Sequence, residues 1–138
     1  MTTLEKFQAE TVPILVKRWP EIFSVHGGEL MSRETCGECD GAGYIVIPTH
    51  TGPERDHCMY CGDEGVVYEH MHPLSLDSIA AMSKACWVVT EAFRFNGRWL
   101  GRYTLPPDNW YITDPFDSEE EARLAAFIAA VAALDGEA

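Results

Sequence analysis

A chain of 138 residues with 46% hydrophobic and 11% aromatic side chains has the make-up of one globular domain around a single modest core, well away from the composition of disorder. Its formal net charge of −12 opposes non-specific nucleic-acid binding, whose affinity comes from Lys and Arg neutralising phosphates. No apolar run reaches the length of a membrane span, and the opening MTTLEKFQAE lacks the basic-then-apolar layout of a signal peptide, so a cytoplasmic chain with reduced thiols is expected.

The first element is a helix. Leu4, Phe7, Ile14, Leu15, Trp19, Ile22 and Phe23 suit an amphipathic stretch broken or restarted at Pro13, with Pro20 ending its regular part. HGGEL, from His26 to Leu30, reads as a turn or linker, so residues 1–30 are expected to form a helical segment.

A cysteine-rich part follows, taken as residues 34–70. Tyr44 to Pro48 and Gly65 to Tyr68 look like short strands, with THTGPERDH between them as a loop turning at Gly52-Pro53. Residues 75–138 then hold a short helix, Ser75 to Ala85, burying Ile79 and Met82, and a β-hairpin turning at Asn96-Gly97. Pro106-Pro107-Asp108 breaks the chain, and NWYIT, from Asn109, is a candidate third strand. Ser118 with Glu121 forms a capping box, and the acids at 119–121 complement a helix N-terminus. Leu124, Phe127, Ile128, Val131 and Leu134 make one stripe, and Gly136 stands where a C-cap is expected. The expected fold is α+β in one compact domain: a zinc ribbon inserted between an N-terminal helical segment and a C-terminal antiparallel sheet with a packed helix.

The candidate site lies in CGECDGAG and CMYCGDEG. Cys36 and Cys39 have two residues between them, as have Cys58 and Cys61, and eighteen residues separate the pairs. Two residues between cysteines let a tight turn aim both sulfurs at one point while backbone N–H groups offset the thiolate charge. Two such turns supply the four ligands of a closed structural zinc site, one Zn²⁺ per chain. Gly41, Gly43, Gly62 and Gly65 suit a chain that turns sharply past each knuckle. A redox pair would need a thiol activated at a helix N-terminus, and disulfides an oxidising compartment; both stay open as alternatives to metal.

These residues resemble the CxxCxGxG zinc ribbon of the DnaJ type over residues 36–68, in a single-zinc version like that of anti-TRAP-like small regulators. Asp63 departs from the pattern, standing where the second motif has its first glycine. The His-Pro-Asp signature of a J domain is missing from the sequence. The resemblance implies a module used by small binding proteins.

Other polar residues have plainer readings. Cys86 is expected to be a buried small hydrophobe, and His50 and His57 exposed loop histidines. His70 and His72 with Glu69 are a candidate second metal group. Arg94, Arg98 and Arg102 flank the hairpin with Trp99 and Tyr103, which suits a nucleic-acid ribbon. In a register set by Asn96-Gly97, however, Phe95 opposes Arg98 and Glu91 opposes Arg102, leaving Arg94 on the other face beside Trp99. The sheet-then-helix order is similar to the AP2-type DNA-binding domain, though the shared residues are those of the helix start.

No nucleophile–base pair, phosphate loop or open metal position is visible, so no enzyme is expected. The expected function is that of a small acidic regulator binding, and inhibiting, a protein with a basic surface; a phage or mobile-element origin fits its size and charge. The alternative is a nucleic-acid-binding regulator that uses the ribbon and the hairpin arginines.

Overall fold

The computed structural model describes residues 1–105 and 109–136; the chain break expected at Pro106-Pro107-Asp108 lies outside the described residues. The Thr2 hydroxyl accepts from the Glu5 N–H at 3.1 Å and starts α1, Thr3–Lys6. A π-helical turn, Phe7–Thr11, joins it to α2, Val12–Arg18, whose first turn holds Pro13. Proline has no N–H and its ring crowds the carbonyl four residues back, so the helix widens there and continues. The expected restart at Pro13 thus becomes a bulge in one rod. Trp19, ahead of Pro20, leaves the helical region at φ −128°.

Residues 23–30 depart from the expected helical segment. Phe23–His26 (β1) and Glu29–Thr35 (β2) form an antiparallel hairpin turned by Gly27 and Gly28, both at positive φ. Two successive left-handed residues match the twist of a tight hairpin, which overrides the helical spacing of Ile22 and Phe23. Phe23, Leu30 and Ser32 are buried on one face of this hairpin.

A second correction concerns the segment taken as a loop. Tyr44–Thr49 (β3) pairs with Gly52–His57 (β4), so the turn is His50-Thr51 and Gly52-Pro53 lies inside a strand. Pro48 faces Pro53 across this ribbon. Thr49 and Gly52 flank a two-residue loop and so exchange the ladder bonds, which leaves the prolines at a non-hydrogen-bonded pair where neither N–H is needed. Val66–His70 (β5) returns to pair with β2, giving the sheet order β1-β2-β5.

The last part follows its sequence closely. Ser75 caps α3, Leu76–Ala85, by accepting from the Ser78 N–H, and Ile79 and Met82 are fully buried. Val89–Phe95 (β6), Arg98–Leu105 (β7) and Asn109–Phe116 (β8) form an antiparallel sheet in chain order. Asn96 and Gly97 take the positive φ of the expected turn, and Glu91 opposes Arg102 as the register predicts.

Ser118 accepts from the Glu121 N–H at 3.2 Å and starts α4, Glu119–Gly136, while the Glu121 carboxylate accepts from Thr3. The helix runs through Gly136, which is its last residue and lies outside the left-handed region expected of a C-cap glycine. Leu124, Phe127 and Val131 are fully buried, and Gly101 lies so close beneath the Ala122 carbonyl that a Cβ there would collide with it. The core is therefore α4 clasped by the β6–β8 sheet on one side and by α2 and α3 on others, with Phe23, Leu30 and Met71 joining the first sheet to it.

Candidate metal centre

Cys36 and Cys39 follow β2, and Cys58 and Cys61 follow β4, so the four sulfurs meet between the first sheet and the β3–β4 ribbon. The two knuckles are built alike. Gly41 and Ala42 donate to the carbonyls of Cys36 and Cys39; Asp63 and Glu64 donate to those of Cys58 and Cys61. The Gly43 N–H donates to Cys39 Sγ and the Gly65 N–H to Cys61 Sγ, each at 3.3 Å. These are the backbone donors that a pair of thiolates requires.

All four Sγ atoms lie within 4.8 Å of one another, and none of the cysteines is more than 8% exposed. Cys36 and Cys58 are 3.8 Å apart, and Cys39 and Cys61 3.7 Å. Four sulfurs at tetrahedral corners about 2.3 Å from a common ion stand about 3.8 Å apart, so the donor set fits a metal ion. The spacing is also far beyond the roughly 2.05 Å of a sulfur–sulfur bond, and all five cysteines are free.

The thiols are unequal before metal arrives. Burial works to raise Cys39, but the Gly43 N–H and the neighbouring thiols outweigh it and hold the group down to about 7. Burial pushes Cys61 up to about 11 against the Gly65 N–H. Soft thiolate donors select ions such as zinc, which displace the remaining protons.

Two glycines are fixed by contact between the knuckles. A Cβ on Gly43 would stand 2.6 Å from the Asp63 carbonyl oxygen, and one on Gly65 would strike that of Gly41. Asp63 occupies the position equivalent to Gly41 and keeps its left-handed backbone, φ +69° against +84°. Aspartate tolerates that region better than most residues. Its carboxylate meets His57 Nδ1 at 2.7 Å, a partnership the cysteine spacing gives no sign of. His50 and His57 are exposed, as expected. Cys86 is 3% exposed and burial pushes its thiol up to about 12 against the nearby Arg18, in keeping with a small hydrophobe.

The second histidine pair is arranged differently from expectation. His70 Nδ1 and His72 Nε2 are 3.0 Å apart, but the carboxylate near His70 is Glu29, at 3.5 Å from Nε2, in place of Glu69. Among the described residues only the four cysteines bring three or more ligand atoms together.

Beside the second knuckle lies a cleft of about 570 Å³ lined by Glu34, Glu64 and Glu69 together with Tyr60 and Tyr68. Tyr60 is 71% exposed. The hairpin arginines do not converge: Arg98 meets Asp117 at 3.3 Å, and Arg102 Nε donates to Glu91 at 2.8 Å with its guanidinium over Phe93 and Trp110. Arg94 lies over Trp99, its cross-strand partner. Among the described residues no helix is long and apolar enough to cross a membrane. No protein-family model, curated protein or solved structure matches this chain.

Proposed function

We propose that this chain is a small regulator stapled by one structural zinc ion, bound by Cys36, Cys39, Cys58 and Cys61, and that it acts by binding another protein through a basic patch of that partner. The ribbon is read as a single-metal relative of the DnaJ-type module on its CxxCxGxG residues and the matched turns of its knuckles. Four buried thiolates leave zinc no open position for substrate, which supports a structural ion and a non-enzymatic role.

The observation that carries the partner is the cleft beside the second knuckle. Its three glutamates attract a lysine or arginine, and the two tyrosines offer ring faces on which a cation is favoured. The net charge of −12 steers a basic protein toward it. The metal would hold this surface in shape and take no part in chemistry, and inhibition would follow from covering the partner's basic site.

A second reading is nucleic-acid binding by the sheet face that carries Arg98, Arg102, Phe93 and Trp110. It is favoured by the cation–aromatic stack and disfavoured by the carboxylates already paired with both arginines. Chromatography separates the two. On the first reading the zinc-loaded protein passes through heparin and random-oligonucleotide columns at low salt, while an affinity capture yields one stoichiometric protein partner that a Glu64→Gln/Glu69→Gln variant fails to retain. Tight, salt-sensitive retention on the oligonucleotide would overturn it.

A further inference from the structure

Away from the residues of the acidic cleft in sequence, α3 ends in an unusual way. Trp87 donates to the Lys84 carbonyl at 3.2 Å and Val88 to that of Ser83 at 3.0 Å. This is the paired ending in which the residue after the helix cap is left-handed, a position that glycine fills most often. Here it is tryptophan, at φ +59° and 88% exposed. A bulky side chain in that region is strained, and this one recovers little burial in exchange.

The indole borders a cavity of about 360 Å³ whose lining includes Ser83, Lys84, Val89, Thr90 and Arg123. Arg123 is held there by a relay of hydroxyls. Its Nε–H donates to Thr90 Oγ1 at 3.2 Å, Thr90 and Ser83 share a hydrogen bond at 2.7 Å, and Ser83 donates to the Ile79 carbonyl at 2.7 Å. Ser83 and Thr90 are each 3% exposed. With Ser83 giving its proton to Ile79, Thr90 must donate to Ser83 and is left accepting from Arg123, so the relay has one direction and the guanidinium one orientation. Among the described residues neither Arg123 nor Lys84 has a carboxylate within 4.0 Å, although acids outnumber bases by 22 to 10 in this chain.

We propose that Arg123, Lys84 and Trp87 form a binding site for a carboxylate carried beside an apolar or aromatic side chain, as in an acidic peptide segment of a protein partner. Two cations, one of them oriented in advance, meet the carboxylate, and the indole covers its apolar neighbour. A polyphosphate or a polyacidic segment is the poorer occupant, because the net charge of the protein repels every anionic group beyond the first, so the segment presents a single carboxylate. The site shares no lining residue with the acidic cleft, so its failure leaves the proposed function standing, and the converse holds.

The test is NMR titration of the intact, zinc-loaded protein, observing the Trp87 indole N–H and the Arg123 Nε–H. The probes are N-acetylphenylalanine, its neutral amide and adenosine monophosphate. N-acetylphenylalanine is expected to shift both signals with an affinity near about 1 mM, in line with a ligand of its size. The amide is expected to bind about tenfold more weakly or not at all, as are Arg123→Gln and Lys84→Gln variants with the carboxylate probe. Trp87→Gly, read at the remaining Arg123 Nε–H, is expected to lose that shift while its unfolding midpoint holds or rises, since glycine relieves the left-handed strain. Equal shifts from acid and amide, unchanged binding in the variants, a lower midpoint for Trp87→Gly, or no shift with any probe would overturn the proposal. Preferential binding of adenosine monophosphate would overturn the peptide assignment in favour of a nucleotide.

Discussion

The two halves of this molecule are held together by different means. Around α4, sixteen of the described residues are buried and pack into one cluster, and each adds a modest increment to a sum. Around the knuckles, among the described residues, the buried cluster is the four cysteines, with Val67 packed against it. The β3–β4 ribbon beyond them exposes nearly every side chain, including Val46 at 60%. A core built from many small terms loses stability in steps. A cluster built from four sulfurs would depend on one bound ion for its shape.

The largest effect should come from removing the metal. Cys58→Ser, or a strong chelator, forfeits a metal-binding free energy of about 10–16 kcal/mol in small thiolate domains. Hydrogen exchange is expected to show residues 36–65 losing protection while α4 and β7 keep theirs. Simultaneous loss of protection in α4 would show that the two regions are one cooperative unit and break the contrast.

Phe127→Ala comes next. The ring is fully buried, and its loss from the core should cost about 3–5 kcal/mol, read as a lower urea midpoint. Its metal stoichiometry is expected to stay at one ion per chain; loss of the ion would mean that the knuckles lean on the core.

Acid probes the cysteine side alone. Metal binding must displace the Cys61 proton, held to about 11, whereas Cys39, at about 7, is already largely ionised above neutrality. Affinity therefore falls as pH falls, by about 1.4 kcal/mol per pH unit for each proton taken up, and more steeply once Cys39 also protonates below about 7. A chromophoric indicator should register metal release between about pH 7 and about pH 5, while the circular dichroism of α4 stays unchanged. Release independent of pH would argue against thiolate ligands.

The smallest effect belongs to Glu91→Ala. It removes the carboxylate from Arg102, but the pair is part-exposed and the guanidinium keeps Phe93 and Trp110. A loss of about 0.2–1 kcal/mol is expected. A loss above about 2 kcal/mol would mean that the open face of the sheet depends on the ion pair as a core does on a ring.

Most of the C-terminal part was legible because its signals are local. Asn96-Gly97 fixes a turn and with it the register of Glu91 against Arg102, and Ser118 caps the helix that follows it. The cysteine spacing likewise brings four sulfurs together without knowledge of anything else. The two misread strand regions share one cause. Residues 23–30 and 52–57 are strands because of what they pair with, and β2 finds β5 about thirty residues later in the chain. Strand preference is weak until a partner supplies the ladder, so composition rich in Gly, Pro and charge reads as loop.

Sequence alone determined the donor set, the α+β class, and the start of α4 at Ser118, because repeated spacings and a local cap signal carry them. Tertiary structure decided the rest. Asp63 sits in a glycine's conformation with His57 as its partner, Pro48 faces Pro53, and Trp87 stands left-handed beside an arginine from α4. Each of these depends on groups that the chain brings together only by folding, where the energy of a close approach outweighs the preference of any single residue.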